Sequence, residues 1–365
     1  MDKGVSIVKI GTPKSGGVLR AESERYLMEI SMLTGTIIKL YDKREKKHVL
    51  EEMQPYAEDA GSFCAHKSSN LLKIAYEQPR IMSAWILGNE YRYENIIGIP
   101  EITIAASGPV FTTVKILHNY NNTRIEQYIT LYTQFDRIDF KADIDWQEFG
   151  SDIIGVPTLK VGITSDIQKP DFIYETPFGS ITRNRHNTEL PSYRYTAVSG
   201  EERTLAMYND CKFGFSAQGS TLSMTLVRGS YSPSAKPDEG MTSVCYALKP
   251  YYGPVDKAIL TRDAASFNQP PIAKCCDYDN SMENPMLSCD NENICISCVK
   301  PAFERDAIMV RVMECSGQKI EASIKLNAHF NNAYIANMKE EIQAPVPVKD
   351  GEAVICLGAN DIITL

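Results

Sequence analysis

The chain is poor in the residue patterns most chemistries need. It holds five histidines in 365 residues, namely His48, His66, His118, His186 and His329. None stands in His-x-Asp, His-x-His or His-x-x-x-His spacing, so no local histidine–carboxylate metal pair can be drawn. No Gly-x-Gly-x-x-Gly motif or phosphate-binding loop occurs. The nearest approach to a nucleophile elbow is GFSAQG from Gly214. It has the wrong spacing and no strand–elbow–helix context. No apolar run reaches the length of about 18 residues that a membrane-spanning helix needs. The first residues, MDKGVSIVKIGTPKSGG, lack the apolar stretch of a signal peptide, so a cytoplasmic location is expected. Positive charge is also scarce: 38 Lys and Arg stand against 46 Asp and Glu, a net charge of −8. That balance offers no basic face to a nucleic acid. The one basic cluster, Lys43-Arg44 with Lys46-Lys47-His48 around Glu45, reads as a solvated hairpin turn.

What is present is β-strand text. Hydrophobic residues make up 43% of the chain, enough for a packed core rather than a disordered chain. The segments 114–120, 124–132, 137–146, 221–229 and 243–250 mix β-branched and aromatic residues with polar ones at a period of two. Residues 18–30, then Gly35 and 36–42, fit successive strands better than a helix. Turn clusters at 107–109, 119–122, 218–220 and 316–318 separate such segments, the pattern of a sandwich. Residues 262–293 hold three prolines, five Asn and four Asp without periodicity and read as a linker or surface connection. Six or so short strands follow, enough for a second, small sandwich. The expected organisation is therefore a large all-β domain over 1–270, a linker at 271–288 and a small β-sandwich at 289–365.

Ten cysteines are many. Cys245 and Cys356 lie inside apolar strand text and read as small buried hydrophobes. Cys295 and Cys298 have the spacing of a zinc knuckle, but Cys275 and Cys276 are adjacent and Cys289 stands alone. A knuckle also needs a tight turn, whereas 294–299 reads as a strand whose residues three apart face opposite ways. Reduced thiols are the preferred reading. A glycosidase needs two carboxylates about 5–9.5 Å apart. Asp143, Asp145 and Glu148 flank Trp146, and alternation puts Asp143 and Asp145 on one strand face. The plainer reading is a polar strand face with Trp146 in the core.

Six blocks carry a resemblance. They are TIIKLYDKREKKHVLEE from Thr36, ASGPV from Ala106, ITLYTQFDRIDFKADIDWQE from Ile129, TPFGSITRNRHNT from Thr176, NDCKFGF from Asn209 and SYSPSAKPDEG from Ser230. In this order they resemble the C-terminal β-domain of the α-mannosidases of glycoside hydrolase family 38. Gln147 departs from the family pattern, which has His there. The resemblance implies a galactose-mutarotase-like supersandwich over roughly 1–270, followed by the small β-sandwich. It implies that the zinc and both catalytic Asp residues belong to an N-terminal barrel absent from these residues. No catalytic residue and no metal ligand is therefore carried over, and zinc is expected only in that catalytic domain.

The same resemblance brings loops of the β-domain near the sugar site. The candidates for its rim are Arg185, His186, Tyr195, Asn209, Asp210 and Asp238. Charged and amide groups bind sugar hydroxyls, and a Tyr ring offers a stacking face. The competing reading makes Asn209-Asp210 and Asp238-Glu239-Gly240 simple turn residues. The expected partners are the chain's own N-terminal catalytic domain and a mannose-containing oligosaccharide, with no nucleic acid and no membrane. A stand-alone carbohydrate-binding or mutarotase-like module is the alternative; its acid–base histidine would be His118 or His186. A purely structural interaction domain is a third class.

Overall fold

A computed structural model describes residues 4–53, 68–183, 186–273, 275, 285–326, 330 and 332–365. The chain divides into two compact units. The first comprises residues 1–174 and 182–254; the second comprises 175–181 and 255–365.

The first unit opens with an antiparallel meander of five strands: β1 (Ser6–Ile10), β2 (Val18–Glu22), β3 (Tyr26–Ser31), β4 (Ile37–Asp42) and β5 (Lys47–His48). The basic cluster does form the β4–β5 turn, where Asp42 Oδ1 accepts the amides of Arg44 and Glu45 at 3.0 and 3.2 Å. A six-stranded sheet holds, in order, β15 (His186–Pro191), β18 (Gly214–Gln218), β19 (Thr221–Arg228), β12 (Val156–Thr164), β6 (Leu71–Glu77) and β7 (Glu90–Asn95). A nine-stranded sheet runs through β14 (Gly179–Arg183), β13 (Asp171–Thr176), β16 (Tyr195–Ser199), β17 (Arg203–Asn209), β20 (Gly240–Tyr252), β11 (Ile138–Trp146), β10 (Thr123–Tyr132), β9 (Phe111–Tyr120) and β8 (Glu101–Ser107).

Period-two alternation builds these sheets. In β11, Ile138, Phe140, Ala142, Ile144 and Trp146 are buried, while Asp139, Lys141, Asp143 and Asp145 face the other way. Asp143 pairs with Lys141 at 2.8 Å, and Asp145 accepts from Gln147 Nε2 at 2.7 Å. These carboxylates belong to a polar strand face, and Gln147 caps the strand end. One core joins all three sheets: Leu19, Met28 and Ile30 from the first, Leu72, Leu159 and Phe215 from the second, Ile116, Ile129 and Trp146 from the third. Burial of this apolar surface is the main stabilising term.

From residue 255 onward the described residues of the second unit form nine strands in two sheets. One holds β21 (Leu287–Cys289), β24 (Ile320–Leu326), β28 (Glu352–Leu357) and β27 (Val348–Lys349). The other holds β22 (Ile294–Pro301), β23 (Ile308–Glu314), β29 (Ile362–Thr364), β25 (Ala333–Ala336) and β26 (Ile342–Val346). Val310, Val312, Ala322, Ile324, Ile355 and Leu357 form their shared core.

One correction concerns the segment from residue 262, read as a linker. Helix α1 (Lys257–Asn268) occupies its first part, and the unit boundary falls at residues 254 and 255. Asp256 caps the helix by accepting the Ala258 amide at 2.8 Å. The helix buries only Ala258, Leu260, Thr261 and Ala264, so its apolar stripe is too faint to see in sequence.

Candidate functional site

Two short turns carry or adjoin three of the expected rim residues, Tyr195, Asn209 and Asp210. Residues 192–194 connect β15 to β16, and 210–213 connect β17 to β18. They cross at Ser192, whose amide donates to the Phe213 carbonyl at 2.9 Å. Asn209 fastens them together. Its Nδ2 donates to the Tyr193 carbonyl at 3.1 Å, and its Oδ1 accepts the Lys212 amide at 2.7 Å. Asn209 is itself buried. Both ends of its amide bond backbone groups, as a turn residue's do.

Tyr195 is corrected. It is fully buried beneath the turn, its ring edge-on to Tyr208 at 6.3 Å, and offers no stacking face. The exposed aromatic surface is next to it. Tyr193 and Phe213 stack nearly parallel, with centroids 6.2 Å apart, and both rings face solvent. Arg194 lies 5.4 Å from the Tyr193 ring centroid. A ring beside a turn, rather than in the following strand, keeps an open face; sequence spacing alone gives no such distinction.

Asp210 is exposed and accepts the Cys245 amide at 3.1 Å. Burial and the Asp210 carboxylate push the Cys211 thiol up to about 12 and that of Cys245 to about 11. Neither is an activated nucleophile. Asp238 is exposed in the loop before β20. The run from Gly240 to Cys245 is extended strand, about 17 Å at 3.4 Å per residue, so Asp238 and Asp210 do not share one site. Arg185 lies outside the described residues. His186 opens β15 opposite Ala217.

His118 is buried in the core of the first unit beside Gln127. Burial holds its imidazole down at about 4. At 4% exposure it is out of reach of a sugar in this fold. Cys295 and Cys298 sit on β22, a strand and not a knuckle. Among the described residues no group of three or more His, Cys, Asp or Glu could hold a metal ion, and no helix is long and apolar enough to cross a membrane.

Sequence reading missed two other features. On the face of the six-stranded sheet opposite the core, Lys160 is 2% exposed and lies between Glu90 and Glu189, the latter 3.1 Å away. Thr225 donates to Glu189. Burial pulls the Lys160 amine down, but the two carboxylates outweigh it and the net direction is up. The amine is thus held charged and ties β12 to β7 and β15. The second feature is the β6–β7 connection, which exposes Ile81, Met82, Trp85, Ile86 and Leu87. Its signal was legible: the run IMSAWIL stands where a turn between strands is normally polar.

Comparison with known proteins identifies the family. Residues 21–236 match the glycosyl hydrolases family 38 C-terminal domain, and residues 293–365 match that family's C-terminal beta sandwich domain. The chain belongs to glycosyl hydrolase family 38. Both matches are to the C-terminal domains of the family 38 enzymes. Human alpha-mannosidase 2C1 is 26% identical over 231 residues, covering 60% of this chain and 22% of that protein. Alpha-mannosidase G of Dictyostelium discoideum is 24% identical over 233 residues, 59% of this chain and 21% of that one. The chain thus spans about a fifth of the curated relatives it matches. An α-mannosidase structure from Enterococcus faecalis V583 superposes with a TM-score of 0.73 at 14% identity, covering 98% of this chain and 42% of the other. That likeness establishes the shared family 38 fold.

Proposed function

We propose that this chain is the non-catalytic C-terminal region of a zinc-dependent, retaining α-mannosidase. The observation that carries the reading is the placement of the family matches: C-terminal domains account for residues 21–236 and 293–365. In this reading the zinc is held by the parent's catalytic domain. The role of this chain is to pack on that domain and complete the rim of a site for mannose-containing oligosaccharides. Within the rim, the stacking function passes from Tyr195 to Tyr193 and Phe213, whose open faces suit the apolar side of a sugar ring. Asp210, in the same turn as Phe213, is exposed and accessible as a hydroxyl partner.

The test is turnover of an aryl α-mannoside by the 365-residue polypeptide with zinc supplied. No turnover is expected, and measurable hydrolysis would sink the proposal. For the rim, Tyr193→Ala with Phe213→Ala in the parent enzyme should raise KM; an unchanged KM removes the pair from the site.

A further inference from the structure

The β6–β7 connection spends five of its residues 81–87 on exposed apolar side chains, with Ile81 82% and Trp85 72% exposed. Large exposed apolar groups that cluster mark interaction sites. A slack loop could turn such groups inward, but this one is pinned. Ser83 Oγ accepts the amides of Tyr231 and Ser232, both at 3.0 Å, and the Ala84 amide donates to the Ser232 carbonyl at 2.9 Å. Tyr231 Oη accepts the Arg80 amide at 2.9 Å and donates to the Arg80 carbonyl at 3.0 Å. Gly88 donates to Glu77 Oε2 at 2.6 Å. A neighbouring turn adds Ile153, 83% exposed, and is tied on by Tyr91 Oη donating to the Ile154 carbonyl at 3.1 Å. The result is a preorganised apolar surface, the form in which binding loses least to ordering.

At the base of the loop is an open cavity of about 260 Å³ lined by Gln78, Pro79, Arg80, Gly88 and Asn89. Arg80 Nη1 donates to the Leu87 carbonyl at 2.6 Å. Among the described residues no carboxylate lines this cavity. A guanidinium in an amide-lined recess suits an acidic side chain.

We infer that this surface seats the catalytic domain of the parent polypeptide, with Trp85 and Ile81 as apolar anchors and the Arg80 recess receiving an Asp or Glu of that domain. This rests on the function proposed above. The occupant follows from coverage: the matched part of this chain covers 22% of the human relative and 42% of the bacterial one, so a parent of their length holds more chain outside these residues than within them. An aromatic anchor with a neighbouring arginine has the composition of an interface hot spot.

Hydroxyl-radical footprinting tests it, because it reads side-chain access directly. Trp85 and Met82 should oxidise freely in the 365-residue chain and at least tenfold more slowly in the parent polypeptide. Trp85→Ser with Arg80→Ser in the parent should release catalytic and C-terminal parts to limited proteolysis at least tenfold faster. Equal oxidation of Trp85 in both polypeptides, in a parent that hydrolyses the mannoside, overturns the docking surface and leaves the proposed function standing. Turnover by the 365 residues alone overturns the proposed function instead. Concentration-dependent dimerisation of this chain that protects Trp85 gives the surface to a second copy, and also overturns the inference.

Discussion

Arg228 grips Glu77 with two parallel hydrogen bonds, Nε to Oε1 at 2.6 Å and Nη2 to Oε2 at 2.7 Å. The carboxylate is only 4% exposed. It also accepts the Gly88 amide and the Thr158 hydroxyl, the latter at 3.2 Å. Arg228 Nη2 reaches on to the Ile86 carbonyl at 3.3 Å. The pair thus joins the sheet to the apolar loop.

Breaking that pair should be costly. Arg228→Met leaves a buried carboxylate without its cation, which costs about 3–5 kcal/mol. Arg228→Lys should lose much of the same, because a lysine cannot reproduce the planar fork. Glu77→Leu combined with Arg228→Leu should recover most of the loss. Urea unfolding followed by tryptophan fluorescence reads this cleanly, since Trp85 and Trp146 both lie in the first unit. A single Met variant as stable as the parent sequence contradicts the claim.

Gly155 is a backbone requirement of the same region. Its φ is +75°, and an ideal Cβ there would lie 1.8 Å from the Glu77 carbonyl oxygen. Gly155→Ala must move either its own turn or the β6 end. A loss of at least about 2 kcal/mol is expected, from strain and overpacking together. Unfolding midpoints of the two proteins check it; equal midpoints mean the turn is not so packed.

The alternating strands were legible because one buried face imposes its period on the sequence, as in β10 and β11. So was the strand over 294–299, whose residues carry no turn signal. Helix α1 was not legible, because it buries little more than two alanines, a leucine and a threonine. Tyr195 was misjudged for a different reason. Tyr193 and Tyr195 differ in exposure through the point where a turn becomes a strand, and boundaries are the weakest part of a sequence reading. Lys160 was hidden because its two carboxylates come from strands 70 and 29 residues away in sequence.

Burial of His118 makes the first unit acid-sensitive. Its ordinary value of 6.5 falls to about 4 in the fold, because the core disfavours the imidazolium. Above pH 6.5 both folded and unfolded chains hold it neutral, and it adds no pH dependence. As pH falls from 6.5 towards 4 the unfolded chain binds a proton that the native one refuses. Stability is lost across that window, by about 3 kcal/mol in all. His118→Gln should flatten this part of the profile. Urea titrations at pH 7.5, 5.5 and 4.5 measure the difference between the two proteins, and parallel profiles refute the burial argument.

Lys160 tests whether the outer face of the six-stranded sheet is held by charge. Glu90 and Glu189 converge on its amine from opposite strands of the sheet. Lys160→Met keeps the aliphatic stem but leaves two largely buried carboxylates with no cation between them. A loss of about 3–5 kcal/mol is expected. Adding Glu90→Gln and Glu189→Gln removes the repulsion, so the triple variant should regain most of that stability. The two outcomes separate charge from packing, because the methionine is common to both proteins. If the triple variant stays as unstable as Lys160→Met alone, the lost amine mattered through its hydrogen bonds or its shape. Salt sharpens the comparison: a cluster this buried is poorly screened, so 1 M NaCl should change the stability of the wild type and of Lys160→Met little.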